Sequence, residues 1–221
     1  MGDGEMPQKG LILPFILKGI RRVMSEFSLY FGLGKDHILD YANGYDHILF
    51  VIALCALYIS RDWKMVLVLV TAFTIGHSVT LALSTLRIVN VRSELVEFLI
   101  PLTIFITAAS NLFKNENSIG AKPMQMNYFY ALFFGLIHGL GFSNYLRGIL
   151  GRDKSIVTQL LAFNLGLEFG QLVIVLLFMS VCFILVDLFG LNRRDWKMVI
   201  SSAVAGIALI LMKDHAYWLA D

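Results

Sequence analysis

The polar residues that could do chemistry in this 221-residue chain sit inside apolar runs. Asp46-His47 opens one run, with His37 ahead of it. His77 lies in Phe73-Thr74-Ile75-Gly76-His77-Ser78-Val79-Thr80-Leu81 and His138 in Phe134-Gly135-Leu136-Ile137-His138-Gly139-Leu140. A further run carries Asn164, Glu168 and Gln171, spaced four and three apart and therefore on one helical face. Thr74, His77, Ser78 and Leu81 make a similar stripe. An ionisable side chain within a membrane helix costs at least about 2.5–3.5 kcal/mol, so those that persist face the bundle interior and mark an ion or substrate site. His, Asp and Glu without paired thiolates are what a borderline divalent ion such as Ni²⁺, Co²⁺ or Zn²⁺ asks for. Imidazole supplies nitrogen, and a neighbouring carboxylate ligates or fixes the imidazole tautomer from behind. The expected ligands are Asp46, His47, His77, His138 and Glu168, with His37, Thr74, Ser78, Glu97, Asn164 and Gln171 supporting them or lining the access route. The competing reading makes each histidine an interhelical hydrogen-bonding group and Glu168 a neutral acid bonded to Asn164 or Gln171. His215, beside Trp218, and Asp187 read as span-end residues.

These residues need elements to position them, and the composition says which. The chain is 57% hydrophobic and 15% charged, with mean hydropathy +0.72, against roughly 45–50% and about 25% in soluble domains. A soluble globule is excluded, and an all-α integral membrane protein is expected. Stretches of about 20 apolar residues, the length that crosses a bilayer core, run from Asn43 to Ser60, Lys64 to Leu86, Ser93 to Phe113, Asn127 to Leu146, Ser155 to Leu188 and Trp196 to Trp218. That gives a bundle of six transmembrane helices occupying residues 37–221, joined by short connections combining charge with turn-formers. Residues 11–36 place Lys18, Arg21, Arg22 and Glu26 among Phe15, Ile20, Phe27 and Tyr30, an amphipathic segment expected to form an interfacial helix. Its short apolar stretch, broken by Pro14 and without a small-residue cleavage site, argues against a signal peptide. Residues 1–10 read as a disordered tail.

Six crossings put both termini on one side. That side holds eleven Lys and Arg against seven opposite, which favours cytoplasmic termini. The 18 basic residues are balanced by 16 acidic ones with no basic stripe, so no nucleic-acid partner is expected; the partners are the lipid bilayer and a metal ion. Cys55 and Cys182 lie in apolar runs and read as small hydrophobes, forming no disulfide framework or paired-thiolate site. No strong internal repeat is visible, and no phosphate-binding loop is present.

His37-Ile38-Leu39, Gly44-Tyr45-Asp46-His47-Ile48-Leu49-Phe50, the blocks around His77 and His138, Glu97, and Phe163-Asn164-Leu165-Gly166-Leu167-Glu168-Phe169-Gly170-Gln171 resemble, in order, the blocks of the HupE/UreJ family of bacterial membrane proteins, over about Gly34 to Ile174. The resemblance implies a six-span permease-like protein of the bacterial inner (cytoplasmic) membrane, associated with nickel or cobalt. The family's H-x5-D-H element corresponds to His37, Asp46 and His47. Here eight residues, Ile38 to Tyr45, separate His37 from the pair, so whether His37 reaches the site is open.

Two functions compete. In a permease the residues bind a divalent transition-metal ion near mid-bilayer, where it must both enter and leave. In a zinc-dependent intramembrane hydrolase acting on lipid or peptide, three histidines and a carboxylate leave one position for water, with Asp46 or Glu168 as general base and Ser78 polarising the substrate. A structural role, with polar residues joining helices, is the third possibility.

Overall fold

The computed structural model describes residues 12–41, 44–114, 121–143, 146, 148 and 156–216; the expected tail, residues 1–10, lies outside them. Within this set the chain is helical, with no strand. Its helices are α1 (Ile12–Leu39), α2 (Tyr45–Cys55), α3 (Trp63–Thr85), α4 (Ser93–Phe113), α5 (Ala121–Gly141), α6 (Ile156–Cys182, continuing as a π-helical turn, Phe183–Leu188) and α7 (Arg193–Asp214). Four helical stretches are long and apolar enough to cross a membrane: Ser60–Thr85, Ser93–Phe113, Ile156–Leu188 and Arg193–Asp214. Many of their large apolar side chains, such as Ile75, Leu176, Leu177, Val199 and Ile210, point outward, the pattern expected where the surrounding solvent is lipid. The protein is therefore an integral membrane protein. α2 is apolar but, at 11 residues, only about 16 Å long at 1.5 Å per residue, half of a bilayer core of about 30 Å.

α1 is continuous across the expected division between residues 36 and 37. Its C-terminal half packs tightly along α6, and Tyr30 and Ile38 are buried.

Glycines set the closest helix contacts. Gly34 of α1 lies against the Phe163 carbonyl and Leu167 amide, and Gly166 of α6 against the Phe31 carbonyl and Lys35 amide, so a Cβ at either would collide with backbone. Gly135 of α5 meets the Phe73 carbonyl and His77 amide, and Gly76 of α3 the Leu132 carbonyl and Leu136 amide. In both pairs each glycine faces the carbonyl three residues before its partner glycine and the amide one residue after. Contacts of Gly170 with Lys35 and Ile38, and of Gly139 with His77 and Thr80, show that both pairs run parallel. Such small-residue seams let backbones approach where lipid gives no hydrophobic drive to associate.

The ends of the helices fix their directions. Ser60, before α3, donates to Asp187 at the end of α6 (2.6 Å), so α6 runs against α3. Lys197 at the start of α7 donates to the Lys114 carbonyl at the end of α4 (2.7 Å), and His215 lies 4.0 Å from Glu97, so α7 runs against α4. The three most extensive packings are α3 with α5, α1 with α6, and α4 with α7. This is the contact pattern of an inverted repeat, in which α1, α3 and α4 correspond to α5, α6 and α7 with the direction reversed. Phe-x-x-Gly recurs in α3 and α6 and Gly-x-x-His in α1 and α5, signatures too short to register as a sequence repeat.

Candidate metal centre

Four histidines from four helices converge beside the α3–α5 seam. His37 closes α1, three residues after Gly34, and His47 lies in the first turn of α2. His77 follows Gly76 on α3, and His138 lies three residues after Gly135 on α5. One ring nitrogen from each of His37, His47 and His77 lies within 4.8 Å of the others, the one set of three ligating groups that gathers so closely among the described residues. His138 stands beside them, its ring 5.2 Å from that of His47. His77 and His138 are fully buried and His47 is 4% exposed.

The turn between α1 and α2 brings His37 in. Gly44 donates to the Asp40 carbonyl (2.8 Å) and packs on the His37 carbonyl so closely that a Cβ would collide. Despite the longer His37–Asp46 spacing, Gly44 is thus folded back onto the end of α1; Ala42 and Asn43 lie outside the described residues.

Hydrogen bonds assign two tautomers. His47 Nδ1–H donates to the Asp46 carboxylate (2.9 Å), which also accepts the His47 amide (2.8 Å), leaving Nε2 with its lone pair. The Thr103 hydroxyl donates to the Ile100 carbonyl (2.7 Å), so at 3.1 Å from His138 Nε2 it can only accept, and His138 keeps its lone pair on Nδ1. His47 Nε2, His138 Nδ1, His37 Nε2 and both ring nitrogens of His77 are buried without a protein partner. Buried polar atoms are nearly always paired, and a group of orphaned imidazole nitrogens facing one another is the donor set of a borderline divalent cation. Tetrahedral ligands at about 2.0–2.1 Å from such an ion stand roughly 3.4 Å apart, so gathering three of these nitrogens onto one ion needs movements on the order of an ångström.

Aromatic rings enclose the group. Phe142 lies 3.9 Å from His37 and 5.1 Å from Phe163, while Phe50 and Phe73 lie 5.0 and 5.1 Å from His138. They limit water and lower the local dielectric, which strengthens ion–ligand attraction.

The other expected residues fall in three places. Asp46 is committed to His47 as its orienting carboxylate. Glu168 accepts from Thr71 (3.1 Å) and Gln171 from Thr74 (2.7 Å), so α6 presents this face to α3 in a polar seam separate from the close histidine set, with Asn164 one turn before Glu168. Ser78 donates to the Thr74 carbonyl (2.7 Å), and Glu97 lies at the mouth of the cavity described next.

A cavity of about 740 Å³ leads to the histidines, lined among others by His37, His47, His138, Asp46, Glu97 and Phe142. A second, of about 240 Å³, lies where α4 ends and α5 begins, lined by Leu54, Tyr58, Asn111, Lys114, Asn127 and Phe134. Lys114 donates to Asn127 (2.7 Å), and burial lowers its pKa. Sequence reasoning gave no role to Thr103, Phe50 or Phe142; Thr103 on α4, 35 residues from His138, carried no local signal.

Fold and site together define a polytopic helical membrane protein with a buried histidine cluster. A model of the HupE/UreJ protein family matches residues 16–220, nearly the whole chain, and the chain belongs to that family. Comparisons with curated proteins and with solved structures find no match.

Proposed function

We propose that the protein carries a divalent transition-metal ion across the membrane, with nickel or cobalt the ions the family resemblance implies. The observation that carries this reading is the convergence of half-buried His37 with buried His47 and His77, and buried His138 beside them, as imidazoles with unpartnered ring nitrogens at the foot of an open cavity. The inverted helix pattern supports it, because inverted repeats meeting at a central site with a broken helix are a recurring transporter plan. The last turns of α1 and the short α2 then form the first of six crossings together, interrupted at the site. The N-terminal part of α1 lies at the surface of the bacterial inner membrane, with both termini cytoplasmic.

The hydrolytic alternative is less well supported. Asp46 is occupied by His47, Glu168 pairs with Thr71, and the Ser78 hydroxyl points into its own helix, which leaves the imidazoles without an evident general base.

The test is titration of the purified protein with Ni²⁺, Co²⁺ and Zn²⁺, beside a His47→Ala/His77→Ala variant, with uptake into proteoliposomes. Reversible, histidine-dependent binding and uptake of nickel or cobalt is expected. Stoichiometric zinc that survives purification and is lost in the variant would favour the hydrolase. Binding indifferent to the histidines would end both readings.

A further inference from the structure

The smaller cavity is separate from the histidine site, and the two share no lining residue. Leu54, Leu57, Leu69, Ile106 and Phe134 make much of its wall apolar, and Tyr58, Lys114 and Asn127 bring polar groups to it. The hydrogen bonds among these three have a fixed direction. An ammonium only donates, so the Asn127 oxygen faces Lys114 (2.7 Å) and the Asn127 amide donates to the Tyr58 hydroxyl (3.0 Å). Tyr58 is 2% exposed, and its own proton meets no acceptor among the described residues. Lys114, half-buried, has a neutral partner and keeps N–H bonds to spare. The remaining polar side chains of the wall are committed elsewhere. Thr107 and Ser110 donate to carbonyls of α4 (2.8 and 2.9 Å), and Asn111 donates to the Ala53 carbonyl (2.7 Å). An ammonium and a buried O–H, both unused and both beside Asn127 in an apolar cavity, are the donor set for an anion.

We propose that this cavity binds a small aliphatic carboxylate, whose oxygens accept from Lys114 and Tyr58 and whose tail lies among Leu54, Leu69 and Phe134. Pockets for drug-sized ligands run to about 300–1,000 Å³, so about 240 Å³ takes a compact molecule. One ammonium balances one negative charge. A dianionic phosphate would bring a second, uncompensated charge against apolar walls, which is costly. Burial without an anionic partner also disfavours the charged form of Lys114, and a bound carboxylate offsets that cost. The site does not depend on the metal-carrying reading above.

The test is calorimetric titration of the protein in non-ionic detergent with octanoate, octanol and octylammonium, each against a detergent blank. Octanoate is expected to bind, and the other two to bind at least about tenfold more weakly, because they cannot accept a charge-assisted bond from Lys114. Lys114→Gln should lower octanoate affinity by about tenfold or more and Tyr58→Phe by less, with Lys114→Arg retaining part of the affinity. Circular dichroism checks that the variants are folded, and the ligand series on the parent protein decides the matter without them. Butyrate and oleate, as competitors, separate a water-borne carboxylate from a fatty acid of the bilayer. No octanoate binding, octanol bound as tightly as octanoate, or unchanged octanoate affinity in folded Lys114→Gln would each overturn the site.

Discussion

His47 holds Asp46 with one ring nitrogen and offers the other to the cluster: Nδ1 lies 2.9 Å from the carboxylate, and Nε2 is buried with no protein partner. The relationship resembles the carboxylate–histidine pairs that fix tautomers behind metal ligands. Asp46→Asn is therefore expected to weaken Co²⁺ or Ni²⁺ binding by about 10–100-fold while leaving the set of coordinating nitrogens intact. Calorimetry reads the affinity and X-ray absorption the ligand set. A lost oxygen ligand would make Asp46 a direct donor instead.

Thr103 does the same for His138 with a neutral group. Thr103→Val leaves the His138 Nε2–H buried without an acceptor, at a cost of about 1–3 kcal/mol. Chemical unfolding in detergent should show that loss for Thr103→Val and its recovery for Thr103→Ser. Equal stability of all three proteins would mean that His138 adopts the other tautomer.

The glycine seams make a prediction about packing. Gly135→Val and Gly166→Val each force a side chain into a backbone carbonyl of the partner helix. Overpacking of this kind costs about 1–3 kcal/mol or more. Gly206 on α7 has open space around its Cβ position, and Gly206→Val is expected to leave the melting temperature nearly unchanged in the same assay. Equal tolerance at all three positions would mean the seams separate readily.

How much of this the sequence disclosed follows from the range of the forces involved. Apolar runs and the charged breaks between them are local, so the helices around His77, Glu97 and Glu168 are legible from composition. Helix spacing placed Asn164, Glu168 and Gln171 on one face, and the structure has them on α6 with Glu168 and Gln171 bonded to α3. Spacing along one helix does not say which neighbouring helix that face meets. Chemistry groups Glu168 with the histidines, and spacing alone does not disclose the hydrogen bond that its carboxylate accepts from Thr71. For His37 the insertion before Asp46 suggested distance, because sequence separation was the only ruler; the backbone turn at Gly44 cancels it. The inverted relation of the two halves was illegible for a similar reason. It lives in which carbonyl each glycine touches, and only Phe-x-x-Gly and Gly-x-x-His record it in the chain.

Proton competition gives the fourth prediction its sign. An imidazole must be neutral to ligate, so ion binding excludes protons from His37, His47 and His77, and acid must weaken it. Co²⁺ affinity is expected to fall as pH falls, with proton release on binding once the buffer is acidic enough to protonate the imidazoles. Removing one histidine should reduce both the slope and the protons released, as read by calorimetry in buffers of different ionisation enthalpy. Affinity independent of pH would point to carbonyl oxygen as the working ligand.

Phe50 ties the two cavities together and also keeps them apart. Its ring lies 5.0 Å from His138, which lines the larger cavity, and 6.0 Å from Phe134, which lines the smaller one. Phe73, 4.7 Å from Phe50 and 5.1 Å from His138, extends a buried aromatic layer beside the histidines. In the proposed transport, an ion leaving the site toward the smaller cavity meets this layer, and apolar constrictions stop ions by excluding water. Thinning it should make passage easier without touching a ligand. Phe134→Leu is the conservative choice, since Phe→Ala in a core costs about 3–5 kcal/mol. The expected outcome is faster downhill metal flux through proteoliposomes at unchanged equilibrium affinity, with a larger increase for Phe50→Leu/Phe134→Leu. Faster flux accompanied by weaker binding would mean that the rings shape the histidine site, and unchanged flux would place the barrier elsewhere in the bundle.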